Sequence, residues 1–423
     1  MRKFQGLAVL ILVTLICSAS QGSNPECERC NEVILQPQVG RDLTPEVPEE
    51  DLHALVGGLT AFGLDLYRKL SEAPGNLLFS PYNLYLALGM AHAGARGETA
   101  LQMSHALHFI LPQQDLHPAF DALSLALKFS PEIELYSANA FWGQRGYPFR
   151  QEYVDALAAY YGAEIHLMDF QTAPEACREC INCWVRERTR ERIKELLPKG
   201  SVDPQTRLVL TSAIYFRGRW AVEFDPEDTF EGPFTRLDGS QVTVPFMASS
   251  GGTFNCVWDT EYQAMELPYW GGDIAMVIIL PKLDFREFED SLGMDRLKEG
   301  LDRLSPEYLR VVMPKFSTAW SSELQGVLAS MGMALPFTPM ADFSGMGDGG
   351  VYLRGMYHTA WIKVDEWGTE AAAATGGVLI PVGVPREFRI DRPFIFLIRD
   401  RRTGTILFLG RVLDPRWEEN DTG

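Results

Sequence analysis

Strands that are apolar along almost their whole length occupy the second half of this chain. They run over residues 208–216, 273–280, 394–398 and 406–409, and the last two flank a polar turn at 400–404. A strand without polar alternation belongs inside a sheet that is covered on both faces. The last pair is therefore predicted to form a buried hairpin.

Helical periodicity is concentrated in the first half. Apolar side chains recur at helical spacing over residues 51–70 and 173–197, and another helix is expected to begin at Gly97. Ser80 followed by Pro81 is typical of a helix N-terminus, here predicted to run through Met90. Residues 133–142 are instead predicted to form a strand. Because helices precede most of the strands rather than alternating with them, the order predicts an α+β fold.

Patterned segments continue without a long polar linker, so residues 51–416 are predicted to form one domain, followed by a tail at 417–423. Residues 23–50 are proline-rich and aperiodic, which predicts a flexible N-terminal extension. Residues 1–22 combine a basic start, a short apolar run and small residues, as in a secretory signal peptide. That run is too short to cross a membrane, so we expect a soluble, secreted, extracellular protein.

Charge and cysteine content limit the partners. The formal net charge of −18 argues against nucleic acid and anionic membranes as partners.

The cysteines leave three possibilities open, because disulfides, reduced thiols and a metal site all fit their spacing. The cysteines that remain after the expected signal peptide are Cys27, Cys30, Cys177, Cys180, Cys183 and Cys256.

Enzymatic motifs are missing from the sequence. It contains no phosphate-binding P-loop, no His-Glu-x-x-His zinc motif and no Gly-x-Ser-x-Gly nucleophile elbow. His105 and His108 are spaced for one helix face, but no third ligand is near them in sequence. We therefore expect neither an enzyme nor a cofactor or metal site.

Residues 368–385 read GTEAAAATGGVLIPVGVP, with one charge and little bulk. No single secondary structure suits both the alanine run and the glycines and prolines. In an extended conformation Thr369, Ala371 and Ala373 share one face, and the only charge, Glu370, lies on the other. Such a face enters a sheet at little desolvation cost. The segment is either a slack tether or a segment with two conformations.

Nine short segments, taken in order, resemble the serpin family over about residues 53–415. They are 76–81 (NLLFSP), 94–99 (GARGET), 139–144 (NAFWGQ), 210–220 (LTSAIYFRGRW), 265–269 (MELPY), 313–316 (MPKF), 342–345 (DFSG), 368–385 and 392–394 (RPF).

The resemblance implies about nine helices around three sheets and an exposed reactive-centre loop. It also implies a serine protease inhibitor that acts as a suicide substrate, in which the cut loop enters the main sheet and traps the acyl-enzyme. The implied hinge residues are Glu366, Gly368, Thr369, Glu370, Ala371, Ala372, Ala373 and Ala374.

The usual loop length of the family sets the scissile bond at Val382–Gly383. A branched aliphatic residue at this position is expected to suit elastase-like or subtilisin-like serine proteases. Arg386 would attract a trypsin-like enzyme, but it lies too far along the loop for productive trapping.

Further positions match the family by their motifs. Glu366 and Lys315 correspond to a pair that bridges at the top of the main sheet, and Trp220 to a tryptophan beside that opening. Ser80 and His358 correspond to a polar cluster beneath the sheet, where strands must part.

Three positions depart from the family pattern. Asn83 stands where serine is common and Ser212 where asparagine is common, an exchange that would keep the polar network. Trp367 is unusual within the hinge.

Other expectations concern partners and the alternative function. The region 102–128 has too few basic residues for a heparin-binding helix, which argues against glycosaminoglycan control. A monomer is expected. The alternative is a non-inhibitory serpin acting as a carrier, chaperone or storage protein, although such proteins tend to carry charged or bulky hinge residues.

Overall fold

The computed structural model describes residues 32–127, 129–348, 350–369 and 385–416. Nine α-helices lie within these residues: α1 (Glu49–Leu70), α2 (Pro81–Gly94), α3 (Gly97–Ala106), α4 (Gln113–Ala126), α5 (Gln151–Tyr161), α6 (Pro174–Arg188), α7 (Phe285–Asp290), α8 (Met294–Asp302) and α9 (Gln325–Ser330).

The same residues form seventeen strands. They are β1 (Val33–Ile34), β2 (Leu77–Phe79), β3 (Ile133–Gln144), β4 (Ile165–Met168), β5 (Leu208–Arg219), β6 (Phe230–Thr235), β7 (Gln241–Ala248), β8 (Gly252–Trp258), β9 (Tyr262–Pro268), β10 (Ile274–Pro281), β11 (Ser305–Pro314), β12 (Phe316–Glu323), β13 (Met356–Val364), β14 (Gly368–Thr369), β15 (Arg386–Arg389), β16 (Phe394–Asp400) and β17 (Ile406–Val412).

The strands form two hydrogen-bonded sheets. The main sheet has the order β1-β4-β3-β5-β13-β12, and β14 pairs additionally with β5. The other sheet has ten strands, in the order β2-β17-β16-β10-β9-β8-β11-β7-β6, with β15 paired to β11. The resemblance implied three sheets. Strand β11 pairs with β7, β8 and β15, and these pairings connect the second and third of them into one hydrogen-bonded sheet.

The predicted strands are buried as their composition requires. Every residue of β10 is buried, and β16 and β17 form the expected antiparallel hairpin. One face of the main sheet shares a core with the ten-stranded sheet and most of the helices. The other face packs against α6, where Ile181 and Val185 contact a smaller cluster that includes Trp142, Tyr215 and Trp361. The α+β prediction is correct.

Helix α2 begins where its sequence predicts. The Ser80 hydroxyl accepts a hydrogen bond from the backbone N–H of Asn83, and Pro81 occupies the first turn. The helix continues to Gly94, four residues past the predicted end, because apolar side chains bury it nearly all round.

Helix α6 is shorter than predicted. It ends at Arg188 rather than near residue 197, and the following Arg190 and Glu191 adopt positive φ angles of 53° and 63°. Two consecutive left-handed residues interrupt helical hydrogen bonding. No glycine or proline marks this end before Pro198.

The region expected to be a flexible extension is held against the domain in its described part. Val33 and Ile34 pair with Leu167 and His166 at the edge of the main sheet. Arg41 Nε donates to the buried Asp121 carboxylate at 2.7 Å. Helix α1 already begins at Glu49. Residues 1–31, including the expected signal peptide, and the tail from 417 lie outside the described residues.

The cysteines divide into two groups. Cys180 and Cys183 each take part in a disulfide bond, whereas Cys177 and Cys256 are buried free thiols. Cys27 and Cys30 lie outside the described residues. Within the described part of the chain, no group of three or more His, Cys, Asp or Glu side chains is arranged to hold a metal ion. Among the same residues, no helix combines the length and apolarity needed to cross a bilayer.

Candidate functional site

The hinge begins inside the main sheet. Gly368 pairs with Arg219 and Thr369 with Gly218, so β14 is an antiparallel neighbour of β5. The resemblance implied a loop that begins extended and solvated and enters only after cleavage. The structure differs, because Gly368 and Thr369 are already buried and paired.

Thr369 faces the interior of the protein. Its side chain is fully buried, and its hydroxyl lies 2.8 Å from the Tyr269 hydroxyl. Small polar contacts of this kind satisfy a buried threonine without introducing charge. The hinge face that contains Thr369, Ala371 and Ala373 was expected to enter the sheet. Thr369, the one residue of this face that the structure describes, points inward.

Gly368 is required by close backbone packing. Its φ angle of 149° is a conformation that favours glycine, and a Cβ atom there would lie 2.2 Å from the Gly218 carbonyl oxygen. Reciprocal backbone hydrogen bonds between Asp365 and Gly368 form the turn that leads into β14. The hinge strand is thereby held against β5.

Lys315 and Glu366 meet beside this turn. Lys315 Nζ lies 2.9 Å from Glu366 Oε2, and the Thr229 hydroxyl donates to Oε1 at 2.7 Å. Burial opposes ionisation of the carboxyl, but the hydrogen bonds from Lys315 and Thr229 outweigh it and hold the pKa of Glu366 below its ordinary value. Glu366 is therefore an ionised, buried anchor.

Trp220 lies directly beneath the turn. Its indole N–H donates to the Asp365 carbonyl at 3.0 Å, and its backbone N–H donates to the Trp367 carbonyl at 3.1 Å. The ring stacks on Tyr269 at a centroid distance of 4.5 Å. The tryptophan thus connects the turn to the residue that contacts Thr369.

A second group, which we call the polar cluster, lies where β5 pairs with β13 and comprises Ser80, Asn83, Ser212 and His358. The Ser80 backbone N–H donates to His358 Nε2 at 3.1 Å, which leaves the ring proton on Nδ1. Nδ1 lies 3.1 Å from the Ser212 carbonyl. Burial lowers the pKa of His358 to about 3, so the ring is neutral at physiological pH.

Asn83 and Ser212 are joined by a direct hydrogen bond. Asn83 Nδ2 donates to Ser212 Oγ at 2.8 Å, and Asn83 Oδ1 accepts from Ser137 and Asn139. The serine and asparagine that stand in exchanged positions therefore still meet across the same gap. The cluster links α2 to β3, β5 and β13.

The far end of the loop is anchored in the other sheet. Strand β15 pairs parallel with β11, and the Arg386 guanidinium lies 3.4 Å above the Trp258 ring centre. Arg386 is thus a strand residue stacked on an aromatic ring. The expected scissile bond, Val382–Gly383, and the hinge positions Glu370, Ala371, Ala372, Ala373 and Ala374 lie outside the described residues.

Sequence reasoning missed two residues at the top of the sheet. Thr229 binds the carboxylate of Glu366, and Tyr269 contacts both Trp220 and Thr369. Tyr269 is the last residue of the segment MELPY, which matches the family, so this motif could have identified it. Thr229 lies in an acidic loop that matches no motif, so nothing in the sequence indicated its role.

Known proteins resemble the chain over nearly all of the domain. The family model described as Serpin (serine protease inhibitor) matches residues 58–415. An uncharacterised serpin-like protein of Thermococcus kodakarensis is 41% identical over 375 residues, covering 86% of each chain. The leukocyte elastase inhibitor of Bos taurus is 38% identical over 374 residues, covering 84% of this chain and 98% of the inhibitor.

Structural comparison gives the same result. The crystal structure of the thermophilic serpin tengpin in the native state matches with a TM-score of 0.79 at 26% identity, covering 93% of this chain and 100% of tengpin. The residues matched by the family model include the hinge strand, the Lys315–Glu366 pair and the polar cluster. The chain belongs to the serpin family, whose description is that of serine protease inhibitors and not of enzymes.

Proposed function

We propose that the protein inhibits a serine protease as a suicide substrate. The observation that carries this is the pairing of β14 with β5 at Gly218 and Arg219, directly above the last β5–β13 pair, Tyr215–Trp361. Continuing the β14 register would set residue 372 opposite Tyr215, where β13 now pairs. Further insertion therefore requires β13 to separate from β5, and the hinge already occupies the start of that path.

The mechanism follows from this geometry. After a protease cuts the loop, the hinge continues down β5, gains main-chain hydrogen bonds and buries one face of small side chains. The tethered acyl-enzyme is carried with it before hydrolysis is complete. The polar cluster lies beneath the strands that part, and its neutral histidine exchanges partners without transferring a net charge.

We propose an elastase-like or subtilisin-like target. Val382 is the expected specificity residue, and a branched aliphatic side chain fits a shallow apolar pocket. The similarity to a protein named leukocyte elastase inhibitor supports the same class. Arg386 does not compete as a cleavage site in this proposal, because β-pairing and stacking on Trp258 hold it in the ten-stranded sheet.

The test is a gel assay with an elastase and, in parallel, a trypsin. We expect a complex with the elastase that survives boiling in SDS, and little complex with trypsin. Cleavage without complex would overturn the inhibitory mechanism and favour a carrier, chaperone or storage function. Cleaved protein should also melt at a higher temperature than intact protein, because the native form is kinetically trapped.

Secretion is proposed on separate grounds. Cys180 and Cys183 each take part in a disulfide bond, and disulfides are typical of an oxidising compartment. Expression of the full chain in secreting cells should yield protein in the medium with a new N-terminus near residues 20–22. Retention inside the cells with an intact N-terminus would contradict this proposal.

A further inference from the structure

Cys180 and Cys183 of α6 each take part in a disulfide bond, and we call them the α6 pair. They stand three residues apart inside a helix that runs unbroken from Pro174 to Arg188. Side chains at this helical spacing have Cβ atoms about 5–6 Å from each other, whereas a disulfide holds its Cβ atoms about 3.5–4.5 Å apart. A bond within the α6 pair would therefore distort the helix, so each cysteine takes its partner from outside it.

The remaining cysteines leave few candidates for these partners. The chain has seven cysteines. Cys177 and Cys256 are buried free thiols, and burial raises the pKa of Cys177 to about 11, which keeps it a thiol of low reactivity. Cys17 falls within the expected signal peptide, which export removes. Two candidates remain, Cys27 and Cys30, and they have the same spacing as the α6 pair.

The first described residues of the chain lie beside α6. Glu32 is hydrogen-bonded to the His166 ring, and Val33 pairs with Leu167 of β4. The centre of the His166 ring lies 5.4 Å from that of Trp184. Trp184 adjoins the α6 pair in the sequence. One imidazole ring therefore separates the start of the described chain from this part of α6.

The chain that precedes Glu32 is long enough to reach the helix. Cys30 lies two residues before Glu32 and Cys27 lies five, distances that an extended chain spans with at most about 7 Å and about 18 Å. Cys180 and Trp184 lie four residues apart on one helix face, and both are only partly buried. The two N-terminal cysteines are therefore within reach of the face that carries the α6 pair.

Helix α6 covers both strands that must part. Ile181 and Val185 pack into a cluster that includes Tyr215 of β5 and Trp361 of β13, which are paired neighbours. Separation of the strands therefore takes one of these rings away from α6 unless the helix moves. In the sheet order, β4 lies on the same side of the opening as β5. A helix fastened to β4 would stay with β5 and could not follow β13.

We propose that Cys27 and Cys30 form the two disulfides of the α6 pair, so that residues 27–34, which we call the strap, fasten α6 to β4 and slow the separation of β5 from β13. The covalent assignment is independent of inhibition, whereas the effect on strand separation rests on the proposed function.

The redox chemistry of the strap is ordinary thiol–disulfide exchange. Each bond forms when two cysteine thiols lose two electrons and two protons, and a small-molecule disulfide such as glutathione disulfide takes them up as two thiols. In the reverse direction, one thiolate of dithiothreitol attacks a sulfur of the bond and its second thiolate completes the exchange. The products are two protein thiols and one cyclic disulfide.

Peptide mapping of the full-chain protein, oxidised with glutathione disulfide and alkylated at its free thiols, tests the assignment. Trypsin cuts after Arg29 and releases residues 179–186, which contain the whole α6 pair. Without reductant we expect one species of three peptides, namely the one ending at Arg29, 30–41 and 179–186. An internal disulfide within 179–186, or a disulfide-linked dimer on a non-reducing gel, would overturn the assignment.

Matched variants locate the bonds. The double variant Cys27→Ser with Cys30→Ser should leave the α6 pair as thiols that react with an alkylating reagent. Cys177→Ala lies on the same helix and removes a free thiol, so it should retain the species of three peptides. An α6 pair that stays oxidised in the double variant would show that its partners are other cysteines.

Warm incubation of the intact protein measures the effect on strand separation. The parent should lose its ability to form an SDS-stable complex with elastase several times faster in dithiothreitol than without it. The double variant should lose it at the fast rate under both conditions. The product should melt at a higher temperature than the starting protein, which distinguishes insertion of the intact loop from unfolding.

Two results would overturn this effect while the disulfides stand. They are equal rates for the parent with and without dithiothreitol, and a faster loss whose product is unfolded. Absence of any complex before incubation would instead count against the proposed function alone.

Discussion

Lys315 Nζ lies 2.9 Å from Glu366 Oε2, with side chains only 18% and 6% exposed. Lys315 lies between β11 and β12, and Glu366 lies in the turn between β13 and β14. The pair therefore fixes the turn that feeds the hinge strand onto β5. Because both groups are largely shielded from water, removing one partner is expected to cost more than breaking an exposed surface pair would.

Lys315→Met should destabilise the native form. It removes the cation from a buried carboxylate, and the loss of a charged hydrogen bond costs about 1.5–3 kcal/mol. Because the folded-state pKa of Glu366 is depressed, the pair contributes stability above the ordinary carboxyl range and loses it as pH falls. The difference between parent and variant in chemical denaturation should therefore be large at pH 7 and shrink toward pH 3.

Lys298→Met is the matched control for that change. Lys298 is exposed on α8, far in the chain from the hinge, and should leave stability nearly unchanged at every pH. A pH-independent loss in Lys315→Met would indicate a packing effect rather than the loss of an ion pair.

His358→Gln should reduce the sensitivity of the protein to acid. Because burial lowers the pKa of His358 to about 3, the unfolded chain binds a proton there between about pH 6.5 and 3 and the native state does not. The stability that this group contributes therefore decreases as the pH is lowered through that window, by up to about 1.4 kcal/mol per pH unit. The variant should show a shallower decline, measured by the denaturation midpoint from pH 7 to 4.

The exposed His53 provides the comparison, since His53→Gln should retain the parental slope. His92 and His117 are also buried, with pKa values lowered by burial to about 4 and about 3, so part of the slope should persist in His358→Gln. A parental slope in His358→Gln would show that this ring does not stay neutral in the native state.

Asn83 and Ser212 should be strongly coupled. Asn83→Ser alone deprives Ser137 and Asn139 of an acceptor, and Ser212→Asn alone crowds the existing Asn83 amide. Each should cost about 1–3 kcal/mol through unsatisfied buried groups. The double variant, which restores the arrangement common in the family, should be more stable than the sum of the single effects. Additive losses in denaturation experiments would show that the two positions are independent.

Local chemistry explains what the sequence predicted. Ser80 with Pro81 marks the start of α2 because a cap and a first-turn proline act within one turn. The fully apolar β10 required cover on both faces and has it. Features that depend on a residue's own side chain and its immediate neighbours in the chain could therefore be predicted from the sequence.

Long-range pairing was not readable to the same degree. The edge strand Val33–Ile34 is short and exposed, so only its hydrogen bonds to Leu167 and His166 distinguish it from an extension. Likewise, the alternation of small residues indicated which hinge face turns inward, but not that Thr369 is already paired with Gly218.

Val382→Arg should redirect inhibition toward trypsin-like proteases. The specificity residue selects the enzyme, while the hinge, beginning at Gly368, supplies the inserted strand. We expect an SDS-stable complex with trypsin and loss of the elastase complex. Val384→Arg is the control for the register, because it makes the same valine-to-arginine change two residues further along. It should leave the elastase preference in place. An unchanged preference in Val382→Arg would place the scissile bond elsewhere in the loop.

Thr369→Arg should convert the protein from an inhibitor into a substrate. Thr369 is fully buried between Gly218 and the Tyr269 hydroxyl, so a guanidinium has no room there and the hinge strand must leave the sheet. After cleavage the same side chain would have to re-enter a site where Tyr269 is its polar neighbour. Burying an unpaired guanidinium costs several kcal/mol.

The outcome depends on a competition between insertion and hydrolysis of the acyl-enzyme. A barrier higher by about 1.4 kcal/mol slows insertion about tenfold, which lets hydrolysis release the protease. Thr369→Val keeps the size and removes only the hydroxyl, so it should still form complex. Elastase is mixed with each protein, and the complex and cleaved bands are compared. Complex formation by the arginine variant at the parental level would show that residue 369 does not enter the sheet, whereas equal loss in both variants would assign the effect to the Tyr269 hydrogen bond.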